Sequence, residues 1–248
     1  MPLLHKHVGN PLLTKLLNLF YGAGVSDAHS GMRVISRDAL DQLNLQTTGM
    51  EFASEMIMEA GARGLTIEEL PITYHPREGE ATLESFTDGW RHVKFMLQNA
   101  PGYLFSMPGI LMILVGGSVM TMAYTGTTIR GVTLGYHFLI ASAFLLFLGF
   151  QITSLGAFAT VAGNPIRTPT DPVTTVLSKH LSLKRGAMIG IAAFGLGSGL
   201  LGVKLFQWAS NGFPALSFQE GTVVAFVLMI FGVQILFGSF FVDTLRQS

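Results

Sequence analysis

Up to residue 100 the chain mixes polar and apolar residues at short range, and beyond it four long apolar runs dominate. The runs cover Met107 to Thr125, Val132 to Val161, Ala187 to Trp208 and Thr222 to Val242. Each reaches the roughly 20 residues that a helix needs to cross the hydrocarbon core of a bilayer. In the polar stretch the pattern predicts an amphipathic helix over Pro11–Tyr21, a strand over Met32–Ser36 and a short helix from Arg37. A longer helix over Met50–Ala62 and a strand over Leu65–Tyr74 follow. Strands alternating with helices indicate part of an α/β domain. Two strands do not make a stable sheet alone, so this stretch reads as half of a larger fold.

Before the first run, Glu84–Leu97 places Phe86, Trp90, Val93, Met96 and Leu97 at helical spacing, with Asp88, Arg91, His92 and Lys94 elsewhere on the wheel. A helix of this kind lies flat among lipid headgroups, Trp included, or packs its apolar side on the preceding domain. The Pro11–Tyr21 helix carries Leu12, Leu13, Leu16, Leu17, Leu19 and Phe20 and is too short to span. It belongs in the membrane interface or inside the domain. The expected organisation is residues 1–83 as a partial α/β domain, 84–103 as interfacial helix and connector, and 104–248 as an all-α four-helix transmembrane region.

Charge follows the same division. Of 15 Lys+Arg and 15 Asp+Glu, the first hundred residues hold eight and twelve, leaving seven and three for the remainder. Charge is sparse where lipid would make it costly. Arg167, Lys179, Lys184 and Arg185 lie between the second and third runs and Arg246 follows the fourth, whereas the other two loops offer only Arg130 and nothing. The positive-inside bias therefore predicts both termini on the cytoplasmic side of the cell membrane. Lys204, near the outer end of the third run, snorkels to the headgroups or marks a buried ion pathway. None of the runs is a cleavable signal peptide, since the first comes after a domain's worth of polar sequence. Without Cys there are no disulfides, no thiolate metal sites and no thiol catalysis. No basic, aromatic-interleaved patch suggests nucleic acid.

Three groups of residues are able to carry chemistry. The stretch Ser26-Asp27-Ala28-His29-Ser30-Gly31-Met32-Arg33 places small, turn-forming residues between helix and strand and brings Asp27 near Arg33. Such a turn is equally the kind that Asp and Ser close on their own backbone. Tyr74-His75-Pro76-Arg77-Glu78-Gly79-Glu80 leaves a strand end, where α/β proteins place ligand-binding groups. Arg77 offers a planar charged fork suited to phosphate, although a loop arginine is also an ordinary solvated residue. On the Met50–Ala62 helix, Glu51, Glu55 and Glu59 repeat every four residues on one flank. Their mutual repulsion points to a nearby cationic partner, against the alternative of a solvated face. His5 and His7 lack companions for a metal site and are better placed at a membrane surface; Glu78 and Glu80 read as an exposed turn.

Taken together with Gly49-Met50-Glu51-Phe52-Ala53-Ser54-Glu55-Met56, Glu69-Leu70-Pro71-Ile72-Thr73-Tyr74-His75-Pro76-Arg77-Glu78-Gly79 and Asp88-Gly89-Trp90-Arg91-His92, the Ser26–Arg33 block resembles the C-terminal part of a family 2 glycosyltransferase. The likeness is to the dolichol-phosphate mannosyltransferase branch, particularly its membrane-anchored prokaryotic members. It implies a GT-A-type α/β domain and inverting transfer of a sugar from a nucleotide-sugar donor to polyprenol or dolichyl phosphate. On this chain it implies Asp27 as the catalytic acidic residue near the acceptor phosphate, Ser30, Arg33 and Arg77 as phosphate-binding groups, and Glu51 and Glu55 as possible support. A divalent cation, Mg or Mn, is implied as well, bridging the donor diphosphate. Its Asp-x-Asp ligands are absent from all 248 residues, and Ala81-Thr82 stands where the family often has Ser-Lys. The expectation is a fragment, a split gene or a misplaced start that lacks the nucleotide-binding half and is inactive alone. A non-catalytic membrane adaptor, binding lipid phosphate or partnering a separate donor-binding subunit, is the alternative. A small four-span lipid flippase would leave the first hundred residues unexplained.

Overall fold

The computed structural model describes residues 9–28, 30–49, 51–73, 85–162, 176, 182–214 and 220–247. It divides into two compact units, with a boundary between Leu104 and Phe105. The first unit is built on α1 (Asn10–Tyr21), α2 (Arg37–Gln42), α3 (Phe52–Ala62) and α4 (Ser85–Gln98). Pro11 opens α1, where its missing N–H is no loss. Gly22, at φ +65, closes it with a left-handed cap whose N–H bonds the Asn18 carbonyl. Leu13, Leu17, Phe20 and Tyr21 turn inward and form one core with Val25, Ala28, Ile57, Met58, Met96 and Ala100. The short apolar helix thus belongs inside the domain, leaving Leu12 and Leu19 exposed. Gly61 lets α3 approach closely: a Cβ there would lie 2.9 Å from the Tyr21 carbonyl.

Helix α4 presents its apolar side to this core. His92 and Met96 are buried, and the Tyr21 hydroxyl donates to the Met96 carbonyl at 2.8 Å. The expectation that Val93, Met96 and Leu97 face lipid is therefore corrected. Packing them on the core of α1 and α3 removes their apolar surface from water and leaves Trp90, Arg91 and Lys94 outward. Trp90 is 60% exposed.

The two predicted strands are not strands. Residues 32–36 and the described part of 65–74 lie outside any helix and carry no ladder. A strand exists only through its neighbour's N–H and C=O groups, and neither segment has one beside it among the described residues. Burial still alternates along 32–36, with Arg33 and Ile35 half-buried and Met32, Val34 and Ser36 exposed. Val34 is fully exposed at 100% and Leu70 is 83% exposed, so apolar side chains occupy the outer positions too.

Across the boundary a π-helical turn (Gly102–Ser106) leads into α5 (Met107–Tyr124) of the second unit. A two-residue hairpin joins β1 (Thr128–Ile129) to β2 (Val132–Thr133), with Thr128 opposite Thr133 and Ile129 opposite Val132. Arg130 and Gly131 both have positive φ, the signature of the turn that matches strand twist. Val132–Gly135, expected to begin the second span, thus lies ahead of α6 (Tyr136–Ala162), which is followed by α7 (Leu183–Ser210) and α8 (Glu220–Gln247). Among the described residues four segments, Gly102–Tyr124, Tyr136–Ala162, Leu183–Ser210 and Glu220–Gln247, are long and apolar enough to cross a membrane.

These helices pair as two hairpins, α5 with α6 and α7 with α8, joined along α6 and α8. Small residues bring the backbones together. A Cβ on Gly149 would sit 2.6 Å from the Gly109 carbonyl, and one on Gly190 or Gly197 at 2.6 Å from the carbonyls of Gly232 or Ala225. Lipid tails give no hydrophobic drive for helices to associate, so close backbone contact supplies the attraction. Phe150 stacks on Phe231 between the hairpins at 5.0 Å. Leu111, Leu114, Phe144, Ile189, Leu196, Phe206 and Phe237 point outward, as lipid-facing residues do. Lys204 lies toward the C-terminal end of α7 with its Cε beside Gly221, which puts the ammonium near the end of the span.

Candidate functional site

The turn after α1 is held almost entirely by side chains. Four consecutive amides, Val25 to Ala28, find side-chain acceptors. Val25 N donates to Asn18 Oδ1 at 3.0 Å, and Ala28 N to Thr14 Oγ1 at 3.2 Å. Between them, Ser26 N donates to both Glu69 oxygens at 2.9 Å and Asp27 N to Glu69 Oε1 at 3.2 Å. The Ser26 hydroxyl adds a bond to the same carboxylate at 3.0 Å. The Ser26 amide, first among these donors, pulls the Glu69 carboxyl below its ordinary pKa; slight burial and the Asp27 charge oppose it.

Asp27 is half-buried, and its Oδ1 accepts from the Asn10 amide at 2.9 Å. Arg33 faces the same turn but directs its guanidinium at carbonyls. Its Nε donates to Ser30 at 3.0 Å, Nη2 to Ala28 at 2.7 Å and Nη1 to Ala53 in α3. Burial lowers the Arg33 pKa from its ordinary value, and the nearby Asp27 carboxylate partly restores it. Asp27 and Arg33 are thus brought together as their spacing suggested, with half-buried Ser30 between them in sequence. Arg77, with Glu78 and Glu80, lies outside the described residues, as do His5, His7 and His29.

The glutamates of α3 are not a solvated face. Glu55 is 1% and Glu59 2% exposed. Glu55 accepts from Gln46 N at 3.1 Å and Thr47 N at 2.8 Å, and also from the Thr47 hydroxyl. Glu59 pairs with Arg63 at 2.9 Å, the cation that the like-charge spacing called for. Glu51 is half-buried ahead of the helix. Beside Glu55, the Ser54 hydroxyl meets His92 Nδ1 at 2.9 Å and ties α3 to α4. Among the described residues no group of three or more His, Asp or Glu side chains is assembled to hold a metal ion. Asn10, Thr14, Asn18 and Glu69 escaped the sequence reading. Asn10 and Glu69 reach the turn from 17 and 42 residues away, and nothing local marks that contact.

A unit presenting one fixed carboxylate, followed by two small-residue helical hairpins, defines a membrane-anchored protein with a candidate site ahead of its spans. Residues 157–246 match the family model of the glycosyltransferase family 2 C-terminal transmembrane region. Over 247 residues it is 55% identical to the low-salt glycan biosynthesis hexosyltransferase Agl6 of Haloferax volcanii, covering all of this chain and 60% of that protein. A dolichyl-phosphate hexose transferase of the same organism is 34% identical over 90 residues, 36% of this chain and 38% of that protein. Glycosyltransferase AglJ, also from Haloferax volcanii, is 25% identical over 162 residues, 61% of this chain and 52% of that protein. The chain therefore spans 60% or less of the length of these relatives. No solved structure matches it significantly.

Proposed function

We propose that this chain is the acceptor-side and membrane portion of a glycosyltransferase that passes a hexose from a nucleotide-sugar donor to dolichyl or polyprenyl phosphate. The observation that carries this is the 55% identity, along the whole chain, to a hexosyltransferase. The geometry of the turn is in keeping with it. An oxygen of the lipid phosphate attacks the sugar's anomeric carbon, the bond from that carbon to the donor phosphate breaks, and a nucleoside diphosphate leaves. One displacement from the opposite face inverts the centre. Lipid phosphate is already anionic at neutral pH, so no strong base is required. Asp27 orients the attacking group or its cationic partners, and Arg33 shapes the turn through its three carbonyl contacts. Arg77 takes phosphate, and Ser30, in the turn, has the same role. The first unit is the C-terminal half of a GT-A-type domain, and residues 32–36 and 65–73, which carry no ladder here, pair as strands only where neighbours are supplied. The nucleotide and its divalent cation would be held by residues other than these 248, which contain no Asp-x-Asp. The Lys and Arg bias puts both termini, and the reaction, at the cytoplasmic face.

The test is transfer from a radiolabelled nucleotide hexose to dolichyl phosphate in liposomes. The chain alone is expected to give no labelled lipid. Joined to a donor-binding half bearing Asp-x-Asp it is expected to give label, and Asp27→Asn and Arg77→Ala to remove most of it without loss of membrane insertion. Turnover by the chain alone, or wild-type rates in both variants, overturns the proposal. A second reading, a lipid-phosphate-binding adaptor for a separate donor-binding subunit, is favoured by the lack of Asp-x-Asp. It is distinguished by tight acceptor binding with no transfer under any pairing.

A further inference from the structure

We propose that Glu69 is a positioning residue that sets the direction of the Asp27 side chain by clamping the backbone amides of Ser26 and Asp27, one on each side of the Ser26 Cα. This rests on the acceptor-side role given above to Asp27. The turn is fastened at both ends by neutral groups from α1, Asn18 at Val25 and Thr14 at Ala28. Asn18 grips twice, its Nδ2 donating back to the Val25 carbonyl at 2.7 Å. Between these points lie only Ser26 and Asp27, and both of their amides point at one carboxylate. With both oxygens engaged by Ser26 N, and Oε1 shared with Asp27 N and the Ser26 hydroxyl, that carboxylate leaves the two residues little freedom to rotate. The direction of the Asp27 Cα–Cβ bond follows from those backbone angles. Asn10 then selects the carboxylate's rotation through its 2.9 Å bond to Oδ1.

Glu69 is itself exposed, and isolated contacts between exposed groups add little to stability. Its four contacts all converge on the two residues at and before the proposed catalytic carboxylate. Replacing the carboxylate by an amide leaves a single acceptor oxygen for three donors and places an NH2 against an amide N–H. The Asp27 peptide is then free to turn while α1 and α3 keep their own contacts.

The experiment uses the full chain in nanodiscs of neutral phosphatidylcholine, as wild type, Glu69→Gln, Glu69→Asp, Asp27→Asn and the double variant Asp27→Asn/Glu69→Gln. Amide exchange and the dissociation constant for dolichyl phosphate are measured on each. Glu69→Gln is expected to speed exchange at Ser26 and Asp27 by about tenfold or more, with α1 and α3 unchanged. It is expected to weaken dolichyl phosphate about as much as Asp27→Asn does, and to add nothing further in the double variant. Glu69→Asp, which keeps the carboxylate, recovers part of both effects. Unchanged exchange at Ser26 and Asp27, or a Glu69→Gln loss that adds fully to that of Asp27→Asn, overturns the proposal. If the wild type binds no dolichyl phosphate the functional reading fails and the acceptor role of Glu69 with it. Exchange alone then decides whether Glu69 holds the turn.

Discussion

Two buried carboxylates in α3 show how one residue type takes opposite jobs one turn apart. Glu55 gathers backbone donors from 46–47, whereas Glu59 is neutralised by Arg63. Removing an acceptor buried with several donors leaves those donors unsatisfied, at a cost of about 1–3 kcal/mol. Glu55→Ala is therefore expected to lower the thermal midpoint of the first unit by several degrees in circular dichroism, and Glu51→Ala to leave it near wild type. Arg33 is a fork rather than a point charge, with three nitrogens on three carbonyls. Lysine offers no such fork, so Arg33→Lys is expected to destabilise nearly as much as Arg33→Ala, judged by the same midpoint. Glu69 also gives a pH dependence of defined sign. Its folded pKa is depressed, so its hold on the turn is complete above the ordinary carboxylate value of about 4.3 and fades as pH falls through the folded value. Ser26 and Asp27 protection is expected to stay flat from neutral pH to that value and to drop only below it; a drop near pH 6 would contradict the assignment.

At the scale of elements, helix α4 and the α7–α8 hairpin carry the clearest consequences. With its apolar side on the core, α4 turns Trp90, Arg91 and Lys94 outward, an aromatic and two cations suited to a headgroup layer with anionic lipid. Trp208 is the second of two tryptophans, so Trp208→Phe leaves Trp90 as the sole reporter. In vesicles with phosphatidylglycerol, Trp90 emission is expected to shift blue and be quenched by brominated lipid, and Arg91→Glu/Lys94→Glu to reduce both. Within the hairpin, Gly190 faces the Gly232 carbonyl, whereas Gly199 has open space around it. Gly190→Leu is expected to separate α7 from α8 and expose them to protease in detergent, while Gly199→Leu, on the lipid side, is tolerated. Equal sensitivity of the two variants would show that close backbone contact is not what holds the pair.

For the whole molecule the informative feature is apolar surface that the first unit does not cover. Met32, Val34, Leu70 and Ile72 stand exposed on segments that lie outside any helix and carry no ladder. Strands apolar on both faces are those buried on both faces of a parallel sheet. Pairing the chain with a nucleotide-binding half is expected to slow amide exchange across 32–36 and 65–73, with little change in α5 to α8.

How much of this was legible beforehand differs by element. The four spans and the helices at 10–21, 37–42, 52–62 and 85–98 follow from periodicity and length alone, because helix bonds are local and a bilayer imposes a fixed apolar length. The Asp27 turn was marked by its small residues, and the motifs around it identified the family. Pairing was not legible. Whether Val34 and Leu70 join a sheet depends on a neighbour elsewhere in space, and period-two patterning is silent on whether that neighbour is present. The side of α4 that turns inward, the burial of Glu55 and Glu59, and the reach of Asn10 and Glu69 to one turn were likewise decided only in three dimensions. Those outcomes depend on which groups meet across tens of residues of chain, and a carboxylate's role is set by the donors that arrive around it.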